Sequence, residues 1–162
     1  MENRKDVGEY IVIIYRDDSK QNNYTEPPPS ISLNTTKGQE VKKYLENIEY
    51  KFGGDHFEPT TRTLKFAVES TEEDALLLVF TDISSKDPEL RQEIKEKAKQ
   101  KNQEILFLIG GGEYGKYNMN LTETVKFYAE ISKSIIVFHN ATNADSIELV
   151  TRLEQFVCDK KD

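Results

Sequence analysis

Residues 75–82 read Ala-Leu-Leu-Leu-Val-Phe-Thr-Asp, and this stretch decides the fold. No polar side chain interrupts it from Leu76 to Phe80, which is typical of a strand covered on both faces of a parallel sheet. Shortly afterwards, Asp87-Pro88-Glu89 predicts the start of a helix, with Asp87 as its cap and Pro88 at a position that needs no N–H. The strand is therefore expected to continue through a helix into a parallel neighbour.

The same strand-then-helix unit recurs on both sides of this stretch. Helices are predicted from Pro59, from Asn120 or Thr122 to Ile131, and from Asp145 to Val157. Strands are predicted at Ile105 to Ile109 and Ser134 to Phe138. Such alternation favours an α/β fold with a doubly wound, mainly parallel sheet.

The N-terminal part adds elements of another kind. Glu9 to Tyr15 is predicted to be a buried strand, and Ile31 to Leu33, which follows three prolines, a short antiparallel edge strand. Lys37 to Tyr50 has apolar residues at helical spacing. We expect one sheet in which Ala75 to Thr81 is central, within a single domain spanning residues 9–158 between tails at 1–8 and 159–162.

Composition excludes several classes of function. The formal net charge of −7 over 162 residues argues against a nucleic-acid surface. The one basic run, Lys95 to Lys101, alternates with Glu and Gln, which indicates a solvated helix face. No apolar stretch approaches the ~20 residues that a membrane-spanning helix needs.

In parallel sheets the ligand crevice lies beyond the carboxyl ends of the strands. The residues there are Asp17, Asp18, residues 53–58, Thr81, Asp82 and residues 110–113. Their carboxylates suit Mg²⁺ and leave a Mg²⁺-dependent enzyme or a phosphoreceiver as an alternative. A receiver, however, needs a lysine where Phe138-His139-Asn140 stands.

Other catalytic patterns are weaker. Gly110-Gly111-Gly112 lacks the spacing and the Lys-Ser/Thr pair of a phosphate loop. His56 and His139 have no nucleophile elbow nearby in sequence, and Cys158 is the only cysteine. We expect a binding module and no catalytic residue.

Two signals for localisation disagree. The N-terminus shows no signal peptide, which alone indicates the cytosol. Four Asn-x-Thr triplets, more than chance predicts, favour a secreted and glycosylated surface. The candidate glycosylation sites are Asn23, Asn34, Asn120 and Asn140.

Several segments, taken in order, resemble the von Willebrand factor type A domain, particularly its hemicentin-like branch. Leu78-Val79-Phe80-Thr81-Asp82 is similar to the family's Thr-Asp strand end. Phe52-Gly53-Gly54-Asp55-His56-Phe57-Glu58 resembles its Gly-Gly-Asp-x-x-Glu turn, and Tyr15-Arg16-Asp17 the end of its second strand. Residues 105–110 and 127–132 resemble later segments of the same family.

This resemblance implies an adhesion-type module that binds a protein or an extracellular-matrix ligand. Type A domains hold Mg²⁺ at the carboxyl end of the sheet and offer its open coordination position to a partner's carboxylate. Asp55 and Asp82 stand at two of the family's ligand positions, with Glu58, Ser84 and Thr81 around them. The family's Asp-x-Ser-x-Ser motif is missing, so Mg²⁺ binding is expected to be weak or absent. A cytosolic type A scaffold is the further alternative.

The missing motif also implies a missing first strand. In the family that strand lies between the equivalents of the Glu9 to Tyr15 and Ala75 to Thr81 strands. An open slot would leave backbone groups without partners, at ~1–3 kcal/mol for each buried group. The expectation is therefore direct pairing of these two strands, with filling of the slot by a strand from elsewhere as the alternative.

Overall fold

The computed structural model describes residues 8–15, 29–48, 59–111, 121–139 and 151. Five strands and four helices lie in these ranges. The strands are β1 (Tyr10–Ile13), β2 (Ile31–Thr35), β3 (Leu76–Thr81), β4 (Glu104–Gly111) and β5 (Ile135–His139). The helices are α1 (Gly38–Glu46), α2 (Thr60–Ser70), α3 (Leu90–Gln100) and α4 (Leu121–Ala129).

The second half forms the parallel sheet that the sequence predicts. Its strand order is β3-β4-β5, with Leu76 opposite Glu104 and Phe107 opposite Ile135. Helices α3 and α4 connect successive strands, as parallel neighbours require. This arrangement confirms the α/β class and places the carboxyl ends of all three strands along one edge of the layer.

The main core lies between this sheet and helices α2, α3 and α4. Apolar residues at alternate positions of β3 and β4 pack against residues one helical turn apart. Its largest members, Phe107 and Tyr128, stack with ring centroids 4.5 Å apart, and both are fully buried. The core members are Leu64, Ala67, Val68, Leu77, Val79, Ile94, Ala98, Ile105, Phe107, Ile109, Tyr128 and Ile131.

Strand β3 is buried on one face only, which corrects the expectation of two-sided burial. Leu77 and Val79 are buried, whereas Leu76, Leu78 and Phe80 are 39%, 44% and 56% exposed. The strand buried on both faces is β4, where Leu106 and Leu108 are buried opposite the core side. The central strand is thus β4, while β3 lies at the edge of the three-stranded sheet.

Strands β1 and β2 form a separate antiparallel sheet. The short antiparallel strand at Ile31 is confirmed. The expectation of one sheet is wrong for the described residues, and β1 is half-buried rather than buried. Direct pairing of β1 with β3 is also absent from this part of the structure. Instead the Tyr15 hydroxyl donates a 2.7 Å hydrogen bond to the Phe80 carbonyl oxygen.

Helix α1 is shorter than predicted, because it ends at Glu46 and not near Tyr50. Its apolar side packs only partly, and Leu45 is 48% exposed. The helix predicted from Asp145 to Val157 lies outside the described residues except for Thr151. None of the described helices is long and apolar enough to cross a membrane.

Candidate functional site

The connection from β3 to α3 forms the centre of the candidate site. Thr81 ends β3, and Asp82 follows it with an exposed side chain. The neighbouring strand end is close: a methyl group at Gly110 would lie 3.9 Å from the Asp82 Cβ and 3.3 Å from the Phe138 ring. Glycine at position 110 therefore allows the Phe138 ring of β5 to approach the end of β4, while Asp82 lies at ordinary contact distance on the other side.

A group of side-chain hydroxyls, the hydroxyl cluster, holds this connection in place. Its members are Thr60, Thr61, Thr81, Ser84, Ser85, Thr124 and Tyr128. The Ser85 Oγ accepts a 2.9 Å hydrogen bond from the Thr61 backbone N–H and lies 2.7 Å from the Thr61 Oγ1. Thr61 Oγ1 also donates to the Asp87 carbonyl oxygen at 3.0 Å. The first turn of α2 therefore binds the connection at two points.

A third attachment comes from α4. The Ile83 carbonyl oxygen accepts hydrogen bonds from the Tyr128 hydroxyl at 2.9 Å and from the Thr81 Oγ1 at 3.0 Å. Ser84 Oγ lies 3.3 Å from the Thr124 Oγ1, also on α4. Because α2 and α4 both belong to the packed core, the backbone beside Asp82 is fixed by rigid elements.

The Tyr128 hydroxyl is a donor and not a base. Burial raises the pKa of Tyr128 above its ordinary value, the Thr60 and Thr81 hydroxyls oppose the rise, and Tyr15 and Asp82 add to it. The phenol therefore stays protonated at neutral pH and keeps donating to Ile83.

Thr60 provides an oxygen whose bonding is incomplete. Its Oγ1 is buried, and the residue is 1% exposed; the oxygen lies close enough to the Tyr128 hydroxyl to lower the pKa of that group, but the pair does not have the geometry of a hydrogen bond. A buried hydroxyl without a partner is uncommon and costs free energy. Oxygen donors are what Mg²⁺ and Ca²⁺ prefer, so Thr60 and Asp82 fit a hard cation chemically. Among the described residues, no group of three or more His, Cys, Asp and Glu side chains is arranged to hold a metal.

The predicted site residues divide into two groups. Thr81, Asp82 and Ser84 lie together at the end of β3, whereas Asp55 and Glu58 lie outside the described residues. The pairing of Asp55 with Asp82 therefore stays a prediction. Of the candidate glycosylation sites, Asn34 is exposed on β2, and Asn23, Asn120 and Asn140 fall outside the described ranges.

Sequence reasoning missed most of the hydroxyl cluster. Thr61 and Ser85 lie 24 positions apart, and Tyr128 and Ile83 lie 45 apart, so no local spacing connects them. Asp87 was predicted to cap α3, but the helix begins after Glu89, and Asp87 binds Arg62 at 2.9 Å instead. One signal in the sequence could have revealed part of the cluster, namely the two threonines, Thr60 and Thr61, directly after Pro59. Hydroxyl side chains at the start of a helix commonly form hydrogen bonds with neighbouring backbone groups.

Comparisons with known proteins agree with this architecture. The family model described as von Willebrand factor A domain matches residues 1–145. Comparison with curated proteins and comparison with solved structures each returned no match.

Proposed function

This chain belongs to the von Willebrand factor A domain family, and from that premise we propose that it is a protein-binding module whose partner docks at the carboxyl end of the parallel sheet. Domains of this family generally mediate protein binding. One observation carries the proposal: the hydroxyl cluster fixes the β3–α3 connection so that Asp82 is presented to solvent. A charged side chain on a rigid support loses little conformational entropy when a partner binds it.

We further propose that a divalent cation assists this binding, with low affinity because the ligands of the Asp-x-Ser-x-Ser motif are missing. Asp82 and Asp55 would hold Mg²⁺, with Glu58, Ser84 and Thr81 around them. When bound, the ion supplies a positive charge and an open coordination position for a carboxylate of the partner. Thr60 supports the proposal as a further neutral oxygen donor at the start of α2, because its buried Oγ1 has no partner in hydrogen-bond geometry.

A Mg²⁺-dependent enzyme or phosphoreceiver is the second candidate, and it rests on the same exposed carboxylate. In that case Asp82 would carry a phosphoryl group. Incubation with radiolabelled acetyl phosphate distinguishes the two, because a binding module incorporates no label and a receiver loses its label when Asp82 is changed to asparagine.

We also propose that the partner is an extracellular-matrix component and that the chain is a secreted glycoprotein. Exposure of Asn34 supports this, because glycosylation of Asn34-Thr35-Thr36 requires an accessible asparagine. Expression through a secretory pathway tests it: glycosidase treatment should reduce the apparent mass, and Asn34→Gln should remove part of that change. A chain that is secreted without glycan would favour the cytosolic scaffold.

The test of the binding site uses a matched pair of variants. Asp82→Asn and Glu73→Gln each neutralise one exposed carboxylate, at opposite ends of β3. Calorimetric titration with Mn²⁺ and Mg²⁺ should give heat for the wild type and Glu73→Gln but not for Asp82→Asn. Equal heats for all three proteins would show that Asp82 does not bind the metal ion.

Partner binding is measured separately on immobilised collagen, laminin and fibronectin. At least one surface should retain the wild type and Glu73→Gln, and Asp82→Asn should bind about tenfold more weakly, which corresponds to ~1.4 kcal/mol. Chelation of divalent cations should have the same effect as Asp82→Asn. Failure of the wild type to bind any of the three would contradict the matrix-binding function.

A further inference from the structure

Strand β3 has one edge paired and the other open in the described part of the chain. All six of its residues are aligned with β4, from Leu76 to Thr81. The Glu104 N–H donates to the Ala75 carbonyl oxygen at 3.0 Å, so Ala75 points toward β4. Backbone groups of successive strand residues point to opposite edges, and Leu76, Leu78 and Phe80 therefore direct theirs outward. The bond from Tyr15 to the Phe80 carbonyl oxygen confirms that direction.

The same three residues carry the exposed apolar side chains of β3. Leu78 is aligned with Leu106 and Phe80 with Leu108, and both partners on β4 are buried. The apolar surface thus continues from a buried strand onto an exposed one. An edge that combines unpaired backbone groups with apolar side chains is a template for an additional strand.

Carboxylates lie at both ends of this edge, and the Lys101 Nζ near the first of them donates to the carbonyl oxygens of Val68, Glu69 and Thr71. Glu72, Glu73 and Asp74 precede β3, and Asp82 follows it, all with exposed side chains. A strand added to β3 would place its own ends beside these carboxylates. These carboxylates would attract basic residues at the ends of the added strand and repel acidic ones, so a partner with basic ends is favoured.

We propose that the β3 edge binds, by strand addition, an extended segment of another protein that is apolar at alternate positions and basic at its ends. Backbone hydrogen bonds to Leu76, Leu78 and the Phe80 N–H would hold it, and its apolar side chains would cover the exposed side chains of β3. The segment is short, because Tyr15 already occupies the Phe80 carbonyl oxygen.

A second copy of this chain fits the same edge poorly. Antiparallel self-pairing centred on Leu78 would place Asp74 of one copy opposite Asp82 of the other. Like charges directly opposite across a strand pair are destabilising. Each copy also has a formal net charge of −7. Charge complementarity therefore favours a basic partner over a homodimer.

The test uses a fluorescent heptapeptide, Lys-Val-Thr-Val-Thr-Val-Lys, and the intact protein in buffer with a chelator. One control peptide has glutamate in place of both lysines, and another has N-methyl groups on alternate amides, which prevents strand pairing. Two protein variants form a matched pair, because Leu78→Ala and Leu45→Ala each truncate an exposed leucine, 44% and 48% exposed respectively.

We expect the lysine-flanked peptide to bind and to slow amide exchange at Leu76, Leu78 and Phe80 by at least tenfold. The N-methylated peptide should not bind, the glutamate-flanked peptide should bind at least tenfold more weakly, and Leu78→Ala but not Leu45→Ala should weaken binding. Since a chelator is present, this result does not depend on a bound cation, and a failure of peptide binding is distinguishable from a failure of the proposed metal-assisted binding.

Four results would overturn the proposal. These are absence of binding, equal binding of the glutamate-flanked peptide, exchange at the three amides that is already slow in the free monomer, and dimers that form through β3. Slow exchange in the free monomer would mean that the chain's own segments fill the edge, and dimers would mean that a second copy does.

Discussion

The hydroxyl of Tyr15 donates to the carbonyl oxygen of Phe80, 65 positions later in the chain, at 2.7 Å. This hydrogen bond connects the end of the antiparallel sheet to the outer edge of β3 in the parallel sheet. The two sheets share no strand pairing among the described residues. Ile13 of β1 also packs against the main core, so both a hydrogen bond and partial apolar burial contribute to this contact.

Removal of this hydroxyl should loosen the antiparallel sheet selectively. Tyr15→Phe is expected to lower the free energy of unfolding by about 0.5–1 kcal/mol, because the bond lies at an exposed position. Amide exchange should accelerate at Tyr10–Ile13 and stay unchanged at Ile105–Ile109. Tyr10→Phe serves as the control, since its hydroxyl lies beside Gly38. Equal acceleration in both sheets would show that the bond does not act locally.

Thr61 should contribute more to stability than an ordinary surface threonine. Its side chain is fully buried and bonds both Ser85 and the Asp87 carbonyl oxygen. Thr61→Val keeps the shape but leaves the Asp87 carbonyl without this donor, at an expected cost of about 1–3 kcal/mol. Thr61→Ser keeps the hydroxyl and should cost about 1 kcal/mol or less. Urea unfolding measures both, and a larger loss for Thr61→Ser would contradict the role of the hydroxyl.

The elements with strong periodicity were predictable from sequence. Helices α2 and α3 and strands β3, β4 and β5 follow runs of apolar residues bounded by Pro, Gly or polar caps. The one-sided burial of β3 was not predictable. Leu78 and Leu106 are the same residue type on aligned strands, yet Leu78 is exposed and Leu106 is buried. Hydrophobicity alone does not distinguish a core face from an uncovered one.

The candidate site was predictable only in part. Parallel topology places Thr81 and Asp82 at the strand ends, and the sequence reveals that topology. The supporting hydroxyls required the tertiary structure, because Thr61, Ser85 and Tyr128 come from three elements distant in sequence. Serine and threonine occur on surfaces and in cores alike, so their positions carried no periodic signal.

Tyr128 should make stability depend on pH in the alkaline range. Its pKa is raised in the folded protein by burial, whereas in the unfolded chain it has the ordinary value of about 10. The protonated Tyr128 therefore stabilises the folded state fully below pH ~10. As the pH rises further, this contribution is lost by up to ~1.4 kcal/mol per pH unit. Tyr128→Phe removes this slope.

The measurement compares unfolding free energies of wild type and Tyr128→Phe between pH 8 and pH 11. At pH 8 the variant should be less stable by about 0.5–1.5 kcal/mol, because it loses the hydrogen bond to Ile83. The difference should shrink above pH ~10. Tyr44→Phe on α1 controls for the other tyrosines, and a constant difference across the range would contradict a raised pKa.

A charged network joins α2 to α3 and provides a prediction at acid pH. Glu93 Oε1 lies 2.7 Å from the Lys65 Nζ and 3.1 Å from the Lys97 Nζ, and Lys97 also pairs with Glu69. Hydrogen bonds from Lys65 first, and then from Lys97, lower the pKa of Glu93. A carboxyl group whose pKa is lowered by folding stabilises the protein fully when the pH is above the pKa of that group in the unfolded chain. This contribution is lost as the pH falls through the pKa of the folded state.

Lys65→Met should therefore raise the pKa of Glu93 toward its ordinary value, and Lys97→Met should raise it less, because Lys65 has the larger effect. Carboxyl chemical shifts followed by NMR from pH 7 to pH 2 measure both changes. Lys42→Met is the control, because Lys42 pairs with Glu46 on α1 at 3.8 Å. Added salt should reproduce part of the shift in the wild type, since these side chains are solvated. If the pKa of Glu93 were the same in wild type and Lys65→Met, the ion pair between Lys65 on α2 and Glu93 on α3 would not persist in solution.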